Sequence, residues 1–211
     1  MYFSFSSSPS KLDPELAQGV ATVLSTLAVM FIFKRPSSEP FVASEILPGL
    51  YLGSATDAKN LYGLRKHKIK HILNVADDVE NFHPDDFTYL RLEVKDMGLD
   101  EGISRVFESG ISFVKEAHGP VLIHCKYGMN RSATMMIAVV MELTGWTLRE
   151  AVDHVKAKRP VITPMTDNQR ELAAFERKKR GTTDPPLAWK YALDPSYYED
   201  GQKASGETKS S

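Results

Sequence analysis

The residues that could carry out chemistry are concentrated in one stretch of this 211-residue sequence, VLIHCKYGMNRSATMMIAVV at positions 121–140. It holds His124 and Cys125, five further residues, and then Arg131 and Ser132. Cys125 is the sole cysteine of the sequence, so it cannot form a disulfide within the chain. A thiolate is a strong nucleophile, and an arginine guanidinium can hold two phosphoryl oxygens at once. The spacing therefore predicts attack by Cys125 on a phosphoryl group that Arg131 holds.

The elements around this stretch would arrange its backbone as an anion-binding loop. Val121 to His124 is predicted to be a short apolar strand, and an apolar helical pattern runs from about Arg131 to Leu143 and stops at Gly145. A strand that turns directly into a helix N-terminus leaves several N–H groups facing one concavity, and the helix dipole adds to their field. The same field favours thiolate over thiol at Cys125.

The loop between the strand and the helix is predicted to surround the phosphate. Its residues are Lys126, Tyr127, Gly128, Met129, Asn130 and Arg131. Gly128 permits the tight backbone path, and Ser132 can donate a hydrogen bond to the sulfur and help it to leave in a second step. His124 is expected to order the loop through its ring nitrogens and not to act as a general base. None of the six histidines has metal-ligand spacing with other donors, so no metal and no other cofactor is expected.

This stretch resembles the signature loop of the protein tyrosine and dual-specificity phosphatases, and the resemblance extends from about Ser44 to Glu176. The segment EILPGLYLGSATDA resembles the entry segment of the small dual-specificity members, KHILNVADD their second strand, and RPVITP with the following helix their C-terminal part. The resemblance implies an α/β fold of the protein tyrosine phosphatase type, with a central mixed β-sheet flanked by helices. It also implies an enzyme that dephosphorylates phosphotyrosine and phosphoserine/threonine in proteins through a phosphocysteine intermediate.

In this family, an aspartate about thirty residues before the cysteine is the general acid. The matching segment here is YLRLEVKDMGLDEGI, which nominates Asp96. Asp96 would protonate the leaving oxygen and later activate water as a base. The loop that follows is one residue longer before Ile103 than in close relatives, so Asp100 is kept as the second candidate. Three loop residues replace the small or serine residues that are usual in the family: Tyr127, Met129 and Asn130. Asn130 and Arg131 form an Asn-Arg pair that resembles the RNA 5′-triphosphatase branch.

Hydrophobic periodicity predicts the elements that carry this site. Strands are expected at Tyr51–Gly53, Ile69–Ala76 and Phe87–Val94. Helices are expected from Asp57 to His67, from Ile103 towards Gly119, from Thr147 with a capping box formed by Thr147 and Glu150, and from Thr166 to the basic run that ends at Arg180. Strands alternate with helices and helices then follow one another, which also indicates the α/β class.

The chain outside this domain is predicted to form two tails. Residues 1–40 are interpreted as a disordered N-terminal region, residues 41–180 as the catalytic domain, and residues 181–211 as a disordered tail. Within the first region, residues 16–33 (LAQGVATVLSTLAVMFIF) carry no charge. As a helix they would span about 27 Å, so they are interpreted either as a single membrane anchor or as an amphipathic helix that packs on the catalytic domain. For an anchor, Lys34 and Arg35 would place the catalytic domain on the cytosolic side.

The composition narrows the range of partners. The net charge of -1 gives no whole-chain reason to expect nucleic acid, which disfavours an RNA triphosphatase. A single catalytic thiol fits the reducing cytoplasm, and the expected partner there is a phosphorylated protein. Two alternatives stay open: a phosphoinositide or phospholipid phosphatase at a membrane, and a non-catalytic module that binds phosphorylated residues.

Overall fold

Short apolar segments of the chain form a mixed β-sheet in the computed structural model, which describes residues 39–96 and 101–181. The strands are β1 (Ser44–Leu47), β2 (Leu50–Ser54), β3 (His71–Asn74), β4 (Thr88–Arg91) and β5 (Val121–Cys125). The order across the sheet is β1-β2-β5-β3-β4, where β1 is antiparallel to β2 and every other neighbouring pair is parallel. Since β5 is central, its carboxyl end meets the carboxyl ends of β2 and β3 at one edge of the sheet.

Helices cover both faces of this sheet. They are α1 (Ala55–Lys59), α2 (Leu61–Lys66), α3 (Phe107–Glu116), α4 (Arg131–Thr144), α5 (Leu148–Lys158) and α6 (Thr166–Arg180), and a short 3-10 helix, Ile103–Val106, leads into α3. On one face, α4 is buried from Arg131 to Met141 and contacts β5, α3, α5 and α6. On the other face, Ala58 of α1 and Leu64 of α2 pack in one cluster with Leu122 of β5. Because β5 and α4 are both buried, the loop between them, residues 126–130, is fixed at both ends.

The predicted α/β class and the mixed sheet flanked by helices are confirmed, and so are two predicted helix boundaries. Gly145 adopts a left-handed conformation (φ 73°) and ends α4. The capping box before α5 is formed, since Glu150 N donates to Thr147 Oγ1 (3.1 Å) and Thr147 N donates to Glu150 Oε2 (2.8 Å). Both signals act within a few residues of chain, so the sequence alone is sufficient to find them.

The single helix expected from Asp57 to His67 is wrong, because Asn60 divides it into α1 and α2. Asn60 has a non-helical backbone (φ -80°, ψ 83°), and its side chain accepts a hydrogen bond from Gly63 N (2.8 Å) at the start of α2. A side chain that satisfies a free N–H at a helix start outweighs the continuity of the apolar spacing here. The strands β3 and β4 also cover only four residues each of the predicted segments 69–76 and 87–94.

Some predictions lie outside the described residues, which omit 1–38, 97–100 and 182–211. They concern the membrane anchor or packed helix at 16–33, nearly all of the C-terminal tail, and Asp100 as the second candidate for the acid. The domain boundaries near 40 and 180 therefore stay predictions. Among the helices that the structure describes, none is both long and apolar enough to cross a membrane.

Candidate active site

The centre of the site is the sulfur of Cys125, at the carboxyl end of β5. Cys125 is 2% exposed, and its Sγ accepts hydrogen bonds from Gly128 N (3.3 Å) and from Ser132 Oγ (3.1 Å). Gly128 belongs to the loop of residues 126–130, and Ser132 belongs to the first turn of α4. Two donors directed at the sulfur stabilise negative charge on it.

Backbone donors from outside the loop hold its carbonyl groups. Lys126 O accepts a hydrogen bond from Ala55 N (3.2 Å), at the start of α1, and Met129 O accepts one from Thr163 N (2.8 Å). Carbonyls that bond outwards turn the neighbouring amides towards the interior of the loop, as the contact of Gly128 N with the sulfur illustrates. The loop therefore presents N–H groups to the space above Cys125, which is the arrangement that binds phosphate-like anions.

A buried arginine supports the loop from behind, and sequence reasoning assigned it no role. Arg159, the residue after α5, donates from Nε to Gly128 O (3.0 Å) and from Nη1 to Val42 O (3.1 Å). Burial lowers the pKa of Arg159, while the nearby charges of Asp57 and Cys125 act in the opposite direction. The segment RPVITP contains this arginine, but its contact with Gly128, 31 residues away in sequence, cannot be recognised from the residues next to it.

Arg131, which begins α4, is 1% exposed and is held through one of its terminal nitrogens. Nη1 donates to Asp78 Oδ1 (2.8 Å), to Val94 O (3.0 Å) and to Asp77 Oδ1 (3.3 Å). Nε and Nη2 are buried and have no hydrogen-bond partner within the described part of the chain, although Nη2 lies 3.2 Å from Asp96 Oδ2. Nε and Nη2 form an edge of the guanidinium that can hold two oxygens of one phosphate group. The contacts of Nη1 thus fix the side chain and leave that edge for a ligand.

The two aspartates that hold Arg131 were not predicted, although both lie in the segment KHILNVADD. Asp78 also accepts a hydrogen bond from Lys126 Nζ (3.1 Å). Partial burial of Asp78 disfavours its charged form, but the hydrogen bonds from Arg131 and Lys126 outweigh burial and lower the pKa of this carboxyl. The hydrogen bond between Lys126 and Asp78 is also the main reason that the pKa of Lys126 is raised. Lys126 therefore gives its backbone to the loop, while its side chain is bound to Asp78.

His124, directly before the cysteine, is completely buried. Its Nδ1 lies 3.4 Å from Cys125 O, and its Nε2 has no hydrogen-bond partner among the residues described. Burial lowers the pKa of His124 to about 4, and the contact with Cys125 O and the charge of Asp57 oppose this only in part. The imidazole is therefore neutral at neutral pH, and its Nδ1 contacts the backbone where the loop begins.

Asp96, the predicted general acid, lies beside the loop and the guanidinium. Its Oδ2 is 3.2 Å from Arg131 Nη2, and its Oδ1 accepts a hydrogen bond from Asn130 Nδ2 (2.9 Å). The side chain is partly exposed, so it can reach both the loop and an incoming ligand. The sequence places Asp96 on the segment after β4, and the fold brings that segment to the carboxyl end of β5.

Four of the predicted residues are therefore brought together at one loop: Cys125, Arg131, Ser132 and Asp96. Two other predicted loop residues, Tyr127 and Met129, are 63% and 39% exposed, so they are not held in the core as Cys125 and Arg131 are. Within residues 39–96 and 101–181, no three His, Cys, Asp or Glu side chains are grouped so that they could hold a metal ion. The donors of the site, the amide of Gly128 and the Nε–Nη2 edge of Arg131, suit an anion.

Comparisons with known proteins agree with this geometry. Residues 50–178 match the family model for the dual specificity phosphatase catalytic domain. The chain is 36% identical over 179 residues to dual specificity protein phosphatase 1 of Arabidopsis thaliana, and the alignment covers 82% of this chain and 90% of that protein. It is 39% identical over 136 residues to protein phosphatase Slingshot homolog of Xenopus laevis, over 63% of this chain. The chain spans only 20% of the length of that second relative.

A solved structure shows the same architecture. The crystal structure of DUSP15 matches with a TM-score of 0.60 and 32% sequence identity, over 67% of this chain and 95% of that one. This likeness confirms the predicted fold of the protein tyrosine phosphatase type. The family model covers more than half of the chain, including the strand, loop and helix that carry Cys125 and Arg131. The chain therefore belongs to the dual specificity phosphatase family.

Proposed function

We propose that this protein removes phosphate from phosphotyrosine and from phosphoserine or phosphothreonine in proteins, through a phosphocysteine intermediate. The observation that carries the proposal is the combination of two buried groups at one loop. One is the sulfur of Cys125, which accepts two hydrogen bonds. The other is the Nε–Nη2 edge of Arg131, which has no hydrogen-bond partner among the described residues. A nucleophile and a phosphate clamp in this arrangement suit phosphoryl transfer.

In the first step, the sulfur of Cys125 attacks phosphorus while the bond from phosphorus to the leaving oxygen breaks. An electron pair of the sulfur forms the S–P bond, and the pair of the broken bond stays on the leaving oxygen. That oxygen takes a proton from Asp96 and departs as the free hydroxyl of the substrate residue. The edge of Arg131 and the loop amides stabilise the remaining phosphoryl oxygens throughout.

In the second step, water attacks the phosphorus of the phosphocysteine. Asp96, now a carboxylate, takes a proton from this water, and inorganic phosphate is formed as the S–P bond breaks. The electron pair of that bond returns to the sulfur of Cys125, where the hydroxyl of Ser132 donates a hydrogen bond to it (3.1 Å). Each residue then has the protonation state in which it began.

The proposal is tested by phosphate release from three substrates: a phosphotyrosine peptide, a phosphothreonine peptide and phosphoinositide vesicles. The full-length chain is used, with Cys125→Ser as the blank. Turnover of both peptides, lost in the variant, is expected. Turnover of the vesicles alone would indicate that the substrate is a lipid and not a protein. Absence of turnover on all three, with Cys125 in its reduced form, would refute the proposal and favour a module that only binds phosphorylated residues.

We also propose that residues 16–33 attach the protein to a membrane, with the catalytic domain on the cytosolic side. The support is the absence of charge over these eighteen residues and the basic pair Lys34 and Arg35 directly after them. The same vesicles serve as the test, since the full chain should sediment with them. Met30→Asp puts a charge within the apolar segment and should leave the protein in the supernatant. Equal sedimentation of both proteins would contradict the attachment.

A further inference from the structure

The side chain of Asn130 connects the predicted acid to the start of α6. Its Nδ2 donates to Asp96 Oδ1 (2.9 Å), and its Oδ1 accepts hydrogen bonds from Met165 N (2.9 Å) and from Asn168 Nδ2 (2.8 Å). A backbone N–H can only donate, so the atom of Asn130 that faces Met165 must be the amide oxygen. The amide nitrogen is then the atom that faces Asp96, and the orientation of the amide is fixed.

We propose that Asn130 is a positioning residue that holds the carboxyl of Asp96 beside the loop, and that Asn168 orients Asn130 in turn. The inference rests on the proposed phosphatase function. The hydrogen bond from Asn130 to Oδ1 of Asp96 fixes one oxygen of the carboxyl. The other oxygen, Oδ2, lies 3.2 Å from Arg131 Nη2, next to the edge of the guanidinium that would hold a phosphate. The carboxyl is thereby held where it can reach the leaving oxygen.

The two groups that donate to the amide oxygen of Asn130 lie at the start of α6. The residue before the helix is Met165, whose side chain cannot cap a helix, so the amide oxygen of Asn130 satisfies an N–H at this terminus. Asn168 is buried in the same turn. α6 also holds the chain that follows the acid, because the carboxylate of Glu171 accepts a hydrogen bond from Ser104 N. The position of the acid is therefore set relative to α6 as well as to the loop.

A purely structural role for Asn130, in which it only ties the loop to α6, predicts a different kinetic result. A general acid matters most when the leaving oxygen is strongly basic, as in a phosphoserine ester, and least when it is a nitrophenolate. Loss of positioning should slow the phosphoserine reaction and spare the nitrophenyl ester. A displaced loop should slow both reactions by the same factor.

Three variants separate these two roles. Asn130→Ala removes the group that donates to Asp96 without adding a charge to the loop. Asn168→Ala removes the side chain that orients Asn130 and leaves the loop sequence unchanged. Gln169→Ala is the matched control, because it removes a hydrogen bond to Pro164 O (2.7 Å) from the same turn of α6.

The measurement is kcat/KM of the full chain for 4-nitrophenyl phosphate and for a phosphoserine peptide. This constant reports the steps up to release of the leaving group. Asn130→Ala and Asn168→Ala should each lower it about tenfold or more for the peptide relative to the nitrophenyl ester. The control should leave the ratio between the two substrates unchanged. Equal losses on both substrates, or no loss on the peptide, would overturn the inference.

A double-mutant cycle adds a second criterion. If Asn130 acts through Asp96, then Asn130→Ala should cause no further loss on the peptide relative to the nitrophenyl ester in a protein that already carries Asp96→Asn. A full additional loss in that background would overturn the inference. A wild-type protein that turns over neither substrate would overturn the proposed phosphatase function and the inference with it. Wild-type turnover with equal losses in the variants would overturn the inference alone.

Discussion

Replacing Gly128 by alanine tests whether the shape of the loop depends on its close approach to β2. Gly128 has a left-handed backbone (φ 69°), and a Cβ built on it would lie 2.4 Å from Gly53 O and 2.8 Å from Arg159 Nη2. Gly53 belongs to β2 and pairs with His124 of β5. Its carbonyl cannot retreat unless the sheet opens beside Cys125, so we expect the loop to move instead.

Two costs add at this position. A residue with a Cβ in a left-handed conformation is destabilised by about 1–2 kcal/mol. Forcing an extra carbon into occupied space typically costs about 1–3 kcal/mol more. The sum of about 2–5 kcal/mol is a large part of the stability of a typical domain, which is about 5–15 kcal/mol. Displacement of Gly128 would also remove its N–H from the sulfur, 3.3 Å away, so activity should fall together with stability.

Gly145→Ala is the matched control. Gly145 is also left-handed (φ 73°), but a Cβ there would meet no atom within 4 Å, so this variant carries only the backbone cost. Urea unfolding of both variants, with phosphate release from a phosphotyrosine peptide, is the assay. The control should lose only about 1–2 kcal/mol and keep its activity per folded molecule. Equal losses of stability in the two variants, with Gly128→Ala still active, would refute the reasoning.

Two other predictions follow from the charges of the site. Because burial lowers the pKa of His124 to about 4, the unfolded chain binds a proton that the folded chain excludes, and stability falls as the pH drops from about 6.5 towards 4. Between pH 7 and pH 5 this proton uptake lowers the stability of the wild type by about 2 kcal/mol. Urea unfolding should therefore show that the stability advantage of the wild type over His124→Gln shrinks by that amount, and an unchanged difference would contradict the explanation. Asp96→Asn removes a charge beside Arg131, so inorganic phosphate should bind about tenfold more tightly at low salt in calorimetry. Asp86→Asn, whose carboxylate pairs with Arg65 at the surface, is the control, and an equal gain there would contradict the explanation.

The parts of the fold that the sequence predicts well are those specified by neighbouring residues. The end of α4 at Gly145 and the start of α5 at Thr147 depend on one left-handed residue and one capping box. The prediction of one continuous helix in place of α1 and α2 is wrong for a related reason. Asn60 is a cap placed inside an apolar pattern that continues through it, so periodicity conceals the break. Local signals therefore predict boundaries only where they do not compete.

The candidate site divides in the same way. The sequence brings Cys125 and Arg131 to one loop because five residues separate them. It does not show which groups hold that loop, because those contacts join distant parts of the chain. Arg131 and Asp78 are 53 residues apart, and Asn130 and Asn168 are 38 apart. The order of strands across the sheet, which places the ends of β3 and β5 side by side, brings Arg131 and Asp78 together, and the packing of α6 against α4 brings Asn168 to Asn130.

The charges around Arg131 connect phosphate binding to the protonation of Asp96. Three carboxylates face one guanidinium: Asp77 and Asp78 contact Nη1, and Asp96 lies 3.2 Å from Nη2. A phosphate dianion that binds the Nε–Nη2 edge is repelled by Asp96 when this residue is charged. Protonation of Asp96 removes that repulsion and weakens its pairing with Nη2, while Asp77 and Asp78 keep the arginine in place. The form of the site that binds a phosphate most readily is therefore the form in which Asp96, the proposed acid, already holds the proton that the leaving oxygen would need.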